Sequence, residues 1–181
     1  LKNKKFYLFE ANNENEKYLK QYKHEYFIET LSDETKEVKF YSKASTGDSY
    51  YPEQSSYYEK DLKPKIKKTT TLDLIKDKNN IPSPDLIKID TQGSEIDILK
   101  GATKTIEKCK IILLECPIIS YNKGAPNLDQ YIEYLNFIGY LPFDVCEIHR
   151  MNNIFVQIDI FFLRKKIINQ ISDKKFLNIL N

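Results

Sequence analysis

Apolar and polar positions along the chain follow two different periods, and the clearest change from one to the other lies within residues 85–102. A short apolar run there ends at Asp90, and a polar turn that contains Gly93 follows. Apolar residues then recur at helical spacing, at Ile96, Leu99 and Ala102. This stretch therefore predicts a strand, an acid at the carboxyl end of the strand, and a helix, which together make half of a βαβ unit.

The other apolar patterns extend this arrangement over the chain. Strands are predicted at residues 6–9, 26–31, 38–41, 67–71, 111–114, 140–145 and 154–163. Helices are predicted after Asn13, from Leu72, and over residues 128–138, where Gly139 ends the helix. This order predicts one α/β domain, residues 1–181, with an amphipathic helical extension at 165–181. Because a short connection joins the last two strands, we expect them to be antiparallel.

Three of the predicted strands end in an acid, namely Glu10, Asp90 and Glu115. In open α/β sheets, ligands bind beyond the carboxyl ends of the strands, so we expect these acids to line one pocket. Glu10 suits a nucleotide, because an acid at such a position accepts hydrogen bonds from ribose hydroxyls. The alternative for Glu10 is a structural carboxylate that interacts with the dipole of the following helix.

Residues 42–64 have no regular period and combine glycine, proline and serines with four tyrosines, Tyr50, Tyr51, Tyr57 and Tyr58. A loop of this length inside a compact domain is usually functional or disordered. The segment is therefore either a mobile surface loop or a substrate-facing lid whose tyrosines offer rings and hydroxyls to a ligand. Together with residues 117–127, it is the segment in which we expect substrate specificity to lie.

Composition limits the partners of the chain. Its net charge is only +2, from 28 basic and 26 acidic residues, so neither nucleic acid nor a membrane surface is predicted as a partner. Nucleic-acid binding by the lysine- and tyrosine-rich residues 50–68 is a weaker alternative, against which the nearby acids count. No apolar run approaches the ~18 residues of a membrane span. The three cysteines form no CxxC pair, so reduced thiols and a cytoplasmic location are expected.

Several segments, taken in order, resemble the FkbM-type methyltransferase family. The chain reads FYLFEANNEN, with Ala11 where the family usually has proline, then TLSDETKEVKFY, TTTLDLI and the central DLIKIDTQGSEIDILKGA. IILLEC, a tyrosine-containing loop with GAP, GY after the helix, and IDIFFL follow. The resemblance runs in register over residues 6–163, which makes it more specific than any single motif.

This resemblance implies an S-adenosylmethionine-dependent methyltransferase that acts on a hydroxyl of a sugar or another small molecule. It implies the Rossmann-like sheet of class I methyltransferases, mostly parallel with an antiparallel C-terminal strand. The cofactor contacts that it implies are Glu10 at the ribose, Ser32 and Asp33 near the adenine, Asp90 beside the methionine part, and also Asn12 and Gln92. Gln92 and Glu95 would border the same cleft, and Glu95, Glu115 and Tyr121 are the candidate substrate-facing residues. For Glu115 the alternative is a carboxylate that only satisfies a loop amide.

Methyl transfer to a hydroxyl is helped by a group that removes the proton, by ~10²–10⁴-fold for a positioned base. Asp90 is the first candidate for this base or for a substrate-positioning group, and His149 is the second, because imidazole titrates near neutrality. The alternatives are a structural acid and a partly exposed loop histidine. No metal site is predicted, since Asp90, Glu95 and a third ligand show no metal-binding spacing.

One segment of the family has no counterpart in this sequence, namely the first strand and its glycine-rich loop, which lets backbone amides approach the cofactor. We therefore expect the N-terminal strand and helix of the sheet to be absent, and a longer protein to supply them. The alternative is a catalytically inactive binding or assembly module. The methyl acceptor and the formation of a homo-oligomer are left open.

Overall fold

The computed structural model describes residues 4–42, 47–55 and 62–171. Its strands are β1 (Tyr7–Glu10), β2 (Glu25–Ile28), β3 (Thr30–Leu31), β4 (Glu37–Phe40), β5 (Lys65–Thr70), β6 (Leu86–Ile89), β7 (Ile111–Pro117), β8 (Tyr140–Met151) and β9 (Ile154–Arg164). Its α-helices are α1 (Glu16–Leu19), α2 (Leu72–Lys78), α3 (Glu95–Lys100), α4 (Thr103–Ile106), α5 (Leu128–Phe137) and α6 (Lys165–Ile171), and a 3₁₀ turn covers Asn13–Asn15. Tyr57, Tyr58 and residues 172–181 of the predicted C-terminal extension lie outside the described residues.

The described strands form three sheets. β1 pairs with β2, β5 lies between β3 and β4, and the largest sheet has the order β6-β7-β9-β8. The last of the described strands, β9, therefore lies inside the largest sheet and pairs with β7 on one side and β8 on the other. The chain thus has the mixed α/β architecture that the sequence predicts.

The expectation of a mostly parallel sheet is wrong. Among the described strands, β1–β2, β3–β5 and β6–β7 are parallel pairs, whereas β4–β5, β7–β9 and β8–β9 are antiparallel. The antiparallel share is large because β8 and β9 have 12 and 11 residues. A tight turn at Asn152 and Asn153, with φ of 48° and 66°, reverses the chain between them, as two-residue hairpin turns with positive φ do. The predicted antiparallel pairing of these two strands is confirmed.

The predicted change from strand to helix after Asp90 is present, and it builds the core. Ile89 of β6 and the helical residues Ile96, Leu99 and Ala102 are all buried in one apolar cluster with β7 and α5. Gly101 is the C-cap of α3, and it packs against Ser32, the residue that follows β3. A Cβ added to Gly101 would lie 2.1 Å from the carbonyl oxygen of Ser32, so only glycine allows this close approach.

Within the described residues, no helix has both the length and the apolar character that a membrane crossing requires. The three cysteines are free thiols, with Cys109 and Cys116 buried and Cys146 exposed.

Candidate functional site

A cavity of about 1120 Å³ opens where β1 and β6 end and β7 passes beside them. Its wall includes all three of the acids that were expected to share one pocket, Glu10, Asp90 and Glu115. Glu115 lies within β7 rather than at its end, because β7 continues to Pro117. Gln92 and Tyr121 also line the cavity. Five of the site residues that were predicted from the sequence therefore line one cavity.

Asp90 stands directly after β6 at the rim of the cavity, and 41% of its side chain is exposed. Its Oδ2 lies 3.1 Å from Nζ of Lys88, two residues earlier on the same strand. Since alternate residues of a strand face the same side, the pattern of β6 itself produces this pair. Asp90 is thus a solvent-accessible carboxylate with a cation beside it, which suits contact with a ligand.

The turn after Asp90 is held by Glu95, the first residue of α3. Glu95 is only 1% exposed, and its carboxylate accepts hydrogen bonds from the backbone N–H groups of Thr91 (2.9 Å) and Gly93 (3.0 Å) and from the Tyr131 hydroxyl. Burial raises the pKa of Glu95, and these hydrogen bonds oppose the rise. The carboxylate lies outside the large cavity, so the structure gives Glu95 a supporting position in which it fixes the turn.

A hydrogen bond joins Gln92 to Glu115 on the wall of the large cavity. The side-chain amides of Gln92 and Gln157 both donate to the Glu115 carboxylate, one to each oxygen. The Tyr121 hydroxyl donates to Oε1 of Gln157 (2.8 Å) and lies 3.1 Å from Oε1 of Gln92, so it orients both amides. Burial, followed by the charges of Asp90, Glu95 and Asp159, raises the pKa of Glu115 to about 7.

Glu10 is half-buried at the end of β1, where its Oε1 accepts the backbone N–H of Asn12 at 2.7 Å. Asn12 is buried and lines a smaller, neighbouring cavity. Its side-chain amide donates hydrogen bonds to Oγ of Ser42 (2.8 Å) and to Oδ2 of Asp48 (2.7 Å). Asn12 also caps the 3₁₀ turn by accepting the N–H of Glu14. Of these two predicted cofactor residues, Glu10 lines the large cavity and Asn12 lines the smaller one.

Ser32 and Asp33 do not line the large cavity. Ser32 is fully buried, and its hydroxyl bonds to Oδ1 of Asp33 (2.9 Å) and lies 3.2 Å from the Tyr50 hydroxyl. Asp33 forms an ion pair with Lys36 at 2.6 Å. Both residues lie directly after Leu31, which does line the cavity, so they adjoin the site without facing it. Their assignment to the adenine stays a prediction.

Residues 47–55, the longest described part of the long loop, pack against the turn after β6 and the helix that follows it. The hydroxyls of Tyr50 and Tyr51 both donate to Oδ2 of Asp97 on α3, at 3.2 and 2.8 Å. The ring of Tyr51 also covers Gly93, where an added Cβ would lie 3.3 Å from it and 2.6 Å from Cβ of Ala125. These tyrosines thus anchor the loop to α3, and Tyr50 still contributes to the cavity wall.

His149 lies on β8, outside the residues that line the large cavity. Its side chain is 33% exposed, and its Nε2 is 3.4 Å from Oδ1 of Asp159 on β9. The histidine is therefore on a strand beside the site rather than in a loop. Its role as a base stays a prediction.

Sequence reasoning missed Gln157 and Asp159. Both interrupt the apolar run of β9 two residues apart, so they share a face of the strand. Polar residues inside a strand that is otherwise apolar are the signal that could have identified them. The register places Asp159 directly opposite Glu115, and Gln157 opposite Pro117 and His149.

Comparison with known protein families identifies a methyltransferase FkbM domain over residues 2–142. No curated protein and no solved structure gave a match. The matched range contains β1, the turn after β6, α3 and β7, and with them the three acids of the cavity. Because this match covers most of the chain, the chain belongs to the FkbM methyltransferase family.

Proposed function

We propose that this protein is an S-adenosylmethionine-dependent methyltransferase that methylates a hydroxyl oxygen of a small molecule, such as a sugar. The observation that carries the proposal is the placement of Glu10, Asp90 and Glu115 on one cavity in a chain of a methyltransferase family. We infer that the sheets β1–β2 and β6-β7-β9-β8 correspond to parts of a Rossmann-like sheet. The free thiols support a reducing, cytoplasmic location.

The residues on the cavity fit this cofactor in charge and in size. S-adenosylmethionine supplies a methyl group on a positively charged sulfonium, and carboxylates attract such a cation. A volume of about 1120 Å³ exceeds what most small-molecule sites need, which leaves space for an acceptor beside the cofactor. Glu10 would accept the ribose hydroxyls at the end of β1, as acids do at the ends of strands that bind nucleotides.

Asp90 is the residue that we assign to the acceptor hydroxyl. It is accessible from the cavity, and its carboxylate can accept the proton that the hydroxyl loses. The turn that presents Asp90 is rigid, because buried Glu95 bonds two of its backbone N–H groups. A group fixed in this way contributes by orientation as well as by proton transfer.

Calorimetric titration of the protein with S-adenosylmethionine tests the cofactor part. We expect the Glu10→Gln variant to bind ~10-fold or more weakly, which corresponds to a lost charged hydrogen bond of ~1.5–3 kcal/mol. Glu25→Gln is the matched control, since Glu25 is an exposed acid at the opposite end of the β1–β2 pair, bonded to Lys5. Equal affinities of both variants and the wild type would remove Glu10 from the cofactor site.

A further inference from the structure

Three potential metal ligands meet on one face of the largest sheet. Glu115 of β7, His149 of β8 and Asp159 of β9 each offer one ligand atom, and these atoms all lie within 4.8 Å of one another. The strand register explains the meeting, because Asp159 stands directly opposite Glu115 on one side and Glu147 on the other. His149 is two residues beyond Glu147, so it lies on the same face of β8.

Two atoms of this group are buried without a hydrogen bond. Oδ1 of Asp159 and Nε2 of His149 are both shielded from water, and neither has a hydrogen-bond partner among the described residues. They lie 3.4 Å apart, and Asp159 as a whole is only 5% exposed. A buried carboxylate oxygen without a donor is costly, and a cation bound between these two atoms would remove that cost.

The local charge also favours a cation. Glu115 and Asp159 are like charges directly opposite each other on paired strands, an arrangement that is destabilising by itself. The lysine beside this group, Lys88, is already engaged by Asp90 at 3.1 Å. A divalent ion between the two carboxylates would convert their repulsion into shared coordination.

We propose that Glu115, His149 and Asp159 bind a divalent first-row transition metal ion. Metal–ligand bonds of ~2.0–2.2 Å at tetrahedral or octahedral angles place neighbouring ligand atoms ~2.9–3.5 Å apart. The distance between Nε2 of His149 and Oδ1 of Asp159, 3.4 Å, lies within this range. Two carboxylates with one imidazole form a mixed set that suits Mn²⁺ or Zn²⁺. Three protein ligands leave further positions open, and one of these ligands, Glu115, also lines the large cavity.

This site goes beyond the proposed methyl transfer, and it does not depend on it. Two of its ligands, His149 and Asp159, follow the last residue of the family match at 142, so only Glu115 lies within the matched range. It also differs from the combination of Asp90 and Glu95 considered from the sequence. Glu95 is buried behind the turn and is saturated with hydrogen bonds from Thr91, Gly93 and Tyr131.

The test is titration of the full chain, freed of metal by a chelator, with Mn²⁺. The loss of the paramagnetic resonance signal of free Mn²⁺ measures binding, and Zn²⁺ and Mg²⁺ are then added as competitors. We expect one bound Mn²⁺ per chain, displaced by Zn²⁺ at lower concentration than by Mg²⁺, because imidazole favours Zn²⁺. His149→Ala and Asp159→Asn should each weaken binding by at least ~10-fold.

Asp144→Asn is the matched control, since Asp144 is an exposed acid on β8 that bonds to the backbone N–H of its neighbour, Val145. It should bind Mn²⁺ as the wild type does. Circular dichroism checks that each variant is folded, and the part-exposed His149 gives a variant that keeps the test decisive if Asp159→Asn unfolds. Absence of Mn²⁺ and Zn²⁺ binding in the wild type, or equal binding by His149→Ala and the control, would overturn the proposal.

Discussion

Removal of one oxygen atom, by the substitution Tyr131→Phe, tests whether Glu95 holds the turn at the candidate site. Tyr131 is fully buried on α5, and its hydroxyl donates to the carboxylate of Glu95. The substitution keeps the aromatic ring and therefore the packing. It removes one of the hydrogen bonds that stabilise a buried charge, and a hydrogen bond to a charged group contributes ~1.5–3 kcal/mol.

We therefore expect Tyr131→Phe to lower the free energy of unfolding by ~2 kcal/mol at neutral pH. With a urea m-value of ~2 kcal/mol/M, the midpoint of unfolding falls by ~1 M. For a chain of this length, the same change lowers the melting temperature by ~4–8 °C. Urea titration followed by circular dichroism measures the first quantity, and thermal unfolding measures the second.

The loss should also depend on pH in a defined direction. Burial raises the pKa of Glu95 above its usual 4.5, so the folded chain binds more protons than the unfolded chain between 4.5 and the folded pKa. Stability from this group consequently falls as the pH rises through that window. Because the Tyr131 hydroxyl opposes the rise in pKa, its removal raises the folded pKa further. The difference between variant and wild type should therefore grow as the pH rises through the folded pKa that Glu95 has in the wild type.

Tyr134→Phe is the control, because it makes the same chemical change three residues later on α5. The Tyr134 side chain is only partly buried, and no hydrogen bond of its hydroxyl is found within the described part of the chain. We expect its effect to stay within ~0.5 kcal/mol. If the two variants lose the same stability at neutral pH, the reasoning about Glu95 is wrong.

Three further predictions concern the turn and its neighbours. Gly101→Ala should cost ~1–3 kcal/mol in urea unfolding despite the better helix propensity of alanine, since the new Cβ would meet the Ser32 carbonyl at 2.1 Å; unchanged stability would contradict this contact. Asp73→Asn should cost ~1–2 kcal/mol, because Asp73 accepts the backbone N–H groups of Lys104 and Thr105 at the start of α4. Although burial opposes it, the hydrogen bonds from the Thr105 hydroxyl and from these two N–H groups lower the pKa of Asp73 below its usual 3.8, so the cost should be complete above that pH and vanish in acid; a constant cost would refute the assignment. Asp90→Asn should reduce methyl transfer by ~10²–10⁴-fold without loss of stability, whereas Asp85→Asn, an exposed acid at the other end of β6, should leave both unchanged; near wild-type turnover of Asp90→Asn would exclude it as the base.

The part of the site that lies near the strand ends could be predicted from sequence. The change of apolar period at Asp90 is strong, because a short strand and a short helix follow each other with one turn between them. Glu10 ends its strand in the same way, whereas Glu115 lies inside β7, and all three acids reach one cavity. Local pattern is enough for Asp90 and Glu10, since each of these acids lies at the carboxyl end of its own strand.

The second half of the site depends on long-range register and could not be predicted in this way. β8 pairs with β9 through irregularities at Val145–Glu147 and His149–Arg150, and each of them changes which side chains share a face. The alternation of apolar residues in β8 therefore does not reveal that His149 meets Asp159. Similarly, nothing in the sequence around Glu95 indicates that Tyr131, 36 residues away, buries and binds its carboxylate.

The position of β9 within the largest sheet determines when this protein can fold during its synthesis. β8 pairs with β9 and not with β7, so β8 has no strand to join until residues 154–164 have left the ribosome. Arg164 then bonds the backbone carbonyl of Cys109 at 2.8 Å and that of Ile106, which ties the end of β9 to the end of α4. Contacts between such distant parts of a chain form slowly. A ribosome-bound chain that stops before Ile154 should therefore remain protease-sensitive from β8 onwards, and the sheet should be complete only when β9 is inserted.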